Sequence, residues 1–384
     1  MAEELVEARL PRLLEEGDAR EARRHARELW SGLGDRPADD WRLVLTKLPG
    51  LVSWAVCELL AEKSAEAASD DADRALELAT LALWAAARVP DEADRPRCTA
   101  YAWAFLGNAR RVKSALRDAD AALDLALRLW QEDPKEGAGS GFLDGSRLLD
   151  LQASLRIGQR RLAEARALLA EAAAQAAPGL PLGRILIKDA YALELLGDYT
   201  GAVKTLRRAA SLIPETEARL RCVVQFNEMV NLCHLSQAAV AERMLPELRA
   251  RAARINYTLD QVRLRWLEGR IDAGVGRTRE AVEALSWVRE RFAQDALRYD
   301  EALVSLELAG LYLEQGRTAD VKRLVRLMAP VFAAEGVHAE AQKALGLFRR
   351  AVELETVTLE LVRRLVAYLY RAQHDPELRF EEEP

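Results

Sequence analysis

The chain has little of what catalysis and metal binding draw on. It carries four histidines (His25, His234, His338 and His374) and four cysteines (Cys57, Cys98, Cys222 and Cys233) in 384 residues. No histidine stands in an HExxH pattern or beside a paired cysteine, and no CxxC occurs, so no metal ligand set is expected. Cys233 and His234 are adjacent, but adjacent side chains on a helix point about 100° apart, which argues against a nucleophile pair. A GxSxG elbow is also lacking. These absences predict a protein that is not an enzyme and needs no cofactor. Val-, Ile- and Thr-rich runs at period two are lacking too, which predicts essentially no sheet. No apolar run is long enough to cross a bilayer and no charged-then-apolar leader follows Met1. The chain is therefore expected in the cytoplasm, with its cysteines as buried thiols. The net charge of −6 leaves no basic excess of the kind a nucleic-acid binder carries.

What is present is helix-forming. Half of the residues are apolar and 30% are charged, enough for a large core and a solvated surface. Ala, Leu, Arg and Glu dominate, all strong helix formers, and the preference for Arg over Lys suggests a GC-rich bacterial genome. The stretch from Gly183 to Pro214 sets the pattern. Two apolar-periodic helices flank Gly197-Asp198-Tyr199, where Gly197 can take the left-handed conformation that ends one helix and lets the next begin. Tyr199 would fill the space where the two helices diverge. Ala202 is small where they would cross, Leu206 and Ala209 continue the buried stripe, and Pro214 closes the second helix. Turn residues equivalent to Gly197 recur at Gly17, Asp70, Ser114, Gly158, Ser236, Gly276 and Gly316. From Gly158 onward the steps are 39, 39, 40 and 40 residues, a regularity that signals a solenoid.

Trp103, Leu106, Gly107, Ala119, Leu123 and Ala126 follow the same order of large and small residues, as do Gly269, Gly276 and Ala281. These positions resemble the tetratricopeptide repeat (TPR), a helix–turn–helix unit that stacks into a superhelix, here with repeats longer than the usual ~34 residues. Repeats of about this length occur in superhelical sensor domains of bacterial regulators. The resemblance implies an all-α fold, a right-handed α-solenoid of about nine TPR-like helical hairpins.

A single superhelical domain is expected over residues 1–373. Residues 1–50 read as a hairpin around Gly17-Asp18 followed by an irregular segment punctuated by Gly34, Pro37 and Pro49. Helices are expected at about 51–67 and 71–87, with Asp70 or Asp71 as N-cap. Residues 90–96 and 131–146 read as loops. The glycines of the second loop (Gly139, Gly141 and Gly145) lack the strand before and the Gly-Lys-Ser/Thr after that a phosphate loop needs. Residues 338–373 read as an atypical capping hairpin turning near Glu353 to Thr356. Residues 374–384 read as a frayed acidic tail from which Phe380 can dock back.

The inner wall of a TPR superhelix is lined by its first helices, where extended peptides or helices are held. Carried onto this chain, that wall consists of Asn108 and Arg111, Gln152, Arg184 and Tyr191, Asn227 and Asn231, and Arg263, Trp266 and Arg270. An amide side chain both donates to and accepts from a peptide backbone, and a guanidinium forks onto a carboxylate. Arg184, Arg263 and Arg270 would form a positive strip that selects an acidic or carboxylate-bearing peptide. The competing expectation is that Asn227 and Asn231 hold helices in register and that Trp266 packs in the core. The chain thus reads as a non-catalytic scaffold or adaptor for a protein or peptide, with no nucleic-acid or membrane partner. A peptide- or ligand-sensing module acting on a separate effector or transcription factor is the alternative.

Overall fold

The computed structural model describes residues 2–68, 70–132, 143–255, 258–328, 339–373 and 378–380. Within them the chain forms eighteen α-helices, one 3-10 turn at Pro49–Leu51 and no strand. Packing groups the helices into two units, residues 1–176 and 177–384. The first holds α1 (Ala2–Leu33), α2 (Ala38–Lys47), α3 (Trp54–Ala67), α4 (Ala72–Ala86), α5 (Arg95–Val112), α6 (Leu116–Glu132), α7 (Ser146–Gly158) and α8 (Leu162–Gln175). The second begins with α9 (Leu180–Leu195), α10 (Tyr199–Leu212), α11 (Ala218–His234), α12 (Ala238–Ile255) and α13 (Thr258–Gly274). It continues with α14 (Thr278–Gln294), α15 (Arg298–Glu314), α16 (Thr318–Leu327), α17 (Ala339–Glu353) and α18 (Leu359–Ala372). No described helix is long and apolar enough to cross a membrane.

Seven hairpins turn through one device. Gly197 sits at φ 81°, its N–H donates to the Glu194 carbonyl, and the Asp198 N–H donates to the Leu193 carbonyl, both at 2.9 Å. This Schellman pair satisfies carbonyls at the end of α9 that have no partner within the helix. The Asp198 carboxylate then caps α10, accepting from the Gly201 N–H at 2.8 Å. The left-handed residue recurs at Ser114 (62°), Arg160 (65°), Ser236 (58°), Gly276 (84°), Gly316 (68°) and Glu355 (58°). The turn expected at Gly158 is thus made two residues later by Arg160, because α7 continues through Gly158. Between α3 and α4 the cap is Asp71, which accepts from the Arg74 N–H at 2.9 Å.

Two expectations fail at the N-terminus. α1 runs unbroken through Gly17, so the expected hairpin is a single helix. One interior glycine costs about 1 kcal/mol relative to alanine, and the flanking Glu15, Glu16, Ala19 and Arg20 favour helix. The segment after it is not irregular either. α2 buries Trp41 and Leu45, and the Trp41 indole N–H donates to the Leu33 carbonyl at 2.7 Å. Pro96 stands in the first turn of α5, where a missing N–H does no harm, so the preceding loop ends at Asp94. Gly139, Gly141, His338, His374 and the Glu run at 381–383 lie outside the described residues.

Small residues let the helices approach closely. Ala119, Ala202 and Ala281 are fully buried, and Leu123, Ala126, Leu206 and Ala209 continue the same stripe. A Cβ on Gly107 would land 2.7 Å from the Leu123 Cγ, and one on Gly269 would land 2.9 Å from the Leu285 Cγ. Cys57, Cys98 and Cys222 are buried and Cys233 is half-buried, all as thiols.

The last hairpin is reversed. α9 meets α11 and α11 meets α13, first helix to first helix, but α15 packs against α18, the second helix of its pair. Val362, Leu365 and Leu369 of α18 are buried. The described part of the tail is docked: the Tyr368 hydroxyl donates to the Leu378 carbonyl at 3.0 Å, and Phe380 meets the Tyr368 ring edge-on at 5.3 Å.

Candidate functional site

In the second unit, three adjoining clefts open among the first helices and the inward-turned α18. The first, of ≈ 170 Å³, is bounded by Tyr191, Phe226, Arg263, Trp266 and Asp300, with Tyr370, Arg371 and Gln373 closing one side. The second, of ≈ 360 Å³, shares Tyr191, Phe226 and Arg263 with the first and continues over Cys222, Leu248 and Leu264. The third, of ≈ 440 Å³, shares Tyr199, His234, Arg270 and Tyr370 with the first and is otherwise mostly apolar, lined from α15 and α18.

Glu307 of α15 ties together the wall between the first and third clefts. It accepts from the Trp266 indole N–H at 2.6 Å and the Tyr370 hydroxyl at 2.9 Å, and it bridges the Arg270 Nε at 3.0 Å. The Arg270 guanidinium lies 4.7 Å from the Tyr370 ring centroid and 5.7 Å from that of Trp266. Burial works to lower the Arg270 pKa, but Tyr370 and Glu307 hold it above its ordinary value. The cation is therefore kept inside the wall by its partners. Burial pushes the Tyr370 hydroxyl well up.

His234 stacks on Tyr199 at 4.4 Å and meets Tyr370 edge-on at 4.9 Å, with the Arg270 Nη2 3.4 Å from its Nε2. Burial, with Arg270 as the second cause, pushes its imidazole down to about 2, so the ring is neutral. Tyr199 thus stacks on a residue of the following hairpin. Burial also pushes Glu194 and Asp300 up. Asn231 and Arg270 offset this at Glu194, and Arg263 and Gln373 offset it at Asp300.

The expected wall residues divide between the two units. In the first, Asn108 is buried and its amide oxygen accepts from Arg111 at 2.9 and 3.2 Å. Burial, more than anything else, lowers the Arg111 pKa. Gln152 is buried and donates to Asp124 at 3.1 Å, binding α7 to α6. Gln152 thus holds two helices together, while the Asn108–Arg111 pair lies within α5. In the second unit Arg184 is half-buried on α9 and borders none of the three clefts. Asn231 is fully buried, donating to Glu194 at 2.7 Å and to the Asn227 carbonyl at 2.8 Å. Asn227 lines the second cleft.

The expected arginine strip does not form as a set. Arg270 is a half-buried, paired tie, held by Glu307 and the Tyr370 ring, so it is not an open cation. Arg263 is exposed, and among the described residues it makes no hydrogen bond or salt bridge. Trp266 is half-buried, edge-on to Phe292 at 5.4 Å, with one side on the first cleft. The sequence reading missed Lys188, Arg219 and Phe226 in the second cleft and Tyr370 in the first. Phe226 was within reach, since Cys222, Phe226, Met229 and Cys233 are spaced to fall on one face of a helix. Tyr370 was not, since it arrives only through the reversed hairpin. No group of three or more His, Cys, Asp or Glu side chains able to hold a metal occurs among the described residues.

No protein-family model matches the sequence, and no curated protein matches it. Solved structures do resemble it. The fold is similar to that of a Rap protein complexed with competence and sporulation factor, with a TM-score of 0.60 and 12% identity over 83% of this chain and 87% of that one. It is also similar to the apo form of RapI, with a TM-score of 0.58 and 12% identity over 82% and 86% of the two chains. Aspartyl phosphate phosphatase F from Bacillus subtilis gives a TM-score of 0.51 and 13% identity over 76% and 74%. At these identities the likeness concerns the fold, which is a TPR-like helical repeat.

Proposed function

We propose that this TPR-like chain is a non-catalytic peptide-binding adaptor of the bacterial cytoplasm, and that its ligand lies in the joined first and second clefts. The observation that carries this reading is Arg263. It is exposed at the junction of the two clefts, between Tyr191 and Phe226, with no hydrogen bond or salt bridge among the described residues. A cation held there is ready to receive an acidic group, while the aromatic rings offer flat apolar contact. Asn227 supplies an amide that can both donate to and accept from a peptide backbone. The likeness to a Rap protein complexed with competence and sporulation factor supports a ligand-binding role. The sensor alternative has its own support: Tyr370, Arg371 and Gln373 line the first cleft, so an occupant touches the C-terminal helix and its end.

The test is selection of short peptides from a random displayed library on the full chain, followed by affinity measurement for those retained. Wild-type protein should enrich acidic peptides with affinity that weakens as salt rises. Arg263→Glu should lose them with a melting temperature within a few degrees of wild type, because exposed charges contribute little to folding. Equal enrichment by wild type and Arg263→Glu would place binding elsewhere and refute this reading.

A further inference from the structure

The third cleft is set apart by what its polar groups already hold. Arg270 pairs with Glu307 at 3.0 Å, and Arg363 pairs with Glu314 at 3.4 Å. The Tyr370 hydroxyl donates to Glu307, while His234 is engaged by Arg270 and stacked on Tyr199. The four charged side chains of the lining therefore cancel in pairs. Between those pairs the walls are apolar, with Leu306 and Leu311 from α15 and Val362 and Val366 from the reversed α18. Small residues leave the space open. Ala273, Gly310 and Ala367 stand in the walls of α13, α15 and α18, and a Cβ on Gly310 would meet Val362 and Leu359 only at 3.6 and 3.7 Å. At ≈ 440 Å³ the cleft is in the range of small-molecule sites.

We infer that the third cleft is a binding site for an uncharged, largely apolar small molecule, distinct from the peptide clefts. Charge matching fixes the class. A charged ligand would find every opposite charge in the lining already paired, and it would lose its hydration against leucine and valine side chains. An uncharged apolar ligand avoids that cost, releases water from the same walls and leaves both ion pairs intact. Cys233, a half-buried thiol in the lining, is a weak hydrogen-bonding group and adds no demand for charge. The site does not depend on the peptide-binding reading, because Arg263, which carries that reading, is not among the residues that line it.

Two fluorescent probes with the same ring system test this on the full chain. Phenylnaphthylamine is uncharged, and anilinonaphthalene sulfonate adds one sulfonate; both brighten in an apolar site. Phenylnaphthylamine should bind saturably and at least about tenfold more tightly than the sulfonate, which has no unpaired cation to meet in the cleft. Ala273→Phe and, separately, Ala367→Phe fill the cleft from two different walls. Each should abolish the saturable binding while helical dichroism is unchanged, and Arg263→Glu should leave it as in wild type. On the wild-type protein an uncharged phenyl diazirine should photolabel α15 and α18, and phenylnaphthylamine should suppress that label, so the location is read without any substitution. Absence of saturable binding would overturn the inference. So would label confined to other helices, binding retained in both Phe variants, or equal affinity for the sulfonate. Loss of probe binding in Arg263→Glu would overturn it too, by placing the probe in the peptide clefts. Failure to select peptides with probe binding intact would overturn the peptide reading alone.

Discussion

Replacing Glu307 with alanine should be among the most destabilising single changes in the second unit. The carboxylate serves three donors at once, the Trp266 indole, the Tyr370 hydroxyl and the Arg270 guanidinium. Its removal leaves a buried arginine without its ion-pair partner, a loss that costs about 3–5 kcal/mol. The two hydrogen-bond donors would each add about 1–3 kcal/mol if independent, but they share one acceptor, so the terms do not sum. An overall loss of about 3–5 kcal/mol is expected. Glu307→Gln should cost less, because its amide oxygen still accepts from either Trp266 or Tyr370, whose hydrogen bonds go to different oxygens of the carboxylate, although the charge and the second acceptor are lost. The double variant Arg270→Met with Glu307→Leu should recover part of the loss, since Arg270 is then no longer left without its ion-pair partner, while Trp266 and Tyr370 remain without their acceptor. Urea unfolding of the full chain, followed by far-UV dichroism and read as midpoint shifts at constant slope, measures all three. A Glu307→Ala midpoint within about 1 kcal/mol of wild type would refute the reasoning. So would a double variant no more stable than the single one.

Leucine at Ala119, Ala202 or Ala281, all at 0% exposure, should each cost about 1–3 kcal/mol through overpacking, measured as a lowered unfolding midpoint. His234 carries a pH dependence of definite sign. Its folded pKa lies below the unfolded value of 6.5, so its contribution is intact above that pH and is lost as pH falls. The loss should approach about 2 kcal/mol between pH 6.5 and 5, at 1.4 kcal/mol per unit. Glu194 and Asp300, whose pKa values are raised, act in the opposite sense, so the quantity to measure is the difference between wild type and His234→Phe across that range. A difference that stays flat would show that folding does not lower the His234 pKa, and the reading of a neutral ring would be refuted.

The turns were legible because Gly197, Gly276 and Gly316 occupy a backbone conformation that favours glycine, and their spacing was countable. Where an ordinary residue took the left-handed position, as Arg160 did, the nearby Gly158 misled by two residues. Gly17 misled more, because a glycine in a run of strong helix formers is too small a penalty to end a helix. The site was harder to read. Arg263 and Arg270 both lie on α13 and look equivalent in sequence, yet one is exposed and the other is half-buried and paired with Glu307 beside Tyr370. Apolar period shows which face of a helix is buried but not which distant helix covers it. The reversal of the last hairpin, which brings Tyr370 to the clefts, was therefore not readable.

That reversal also bears on assembly. A stack of like hairpins is an open-ended polymer in principle, since the face that receives one repeat resembles the face that would receive another copy. Here α18 occupies the side of α15, and Leu378 and Phe380 in turn occupy part of α18. Part of the surface on which a further hairpin or a second copy would stack is thereby already covered, which removes some of the template for head-to-tail association.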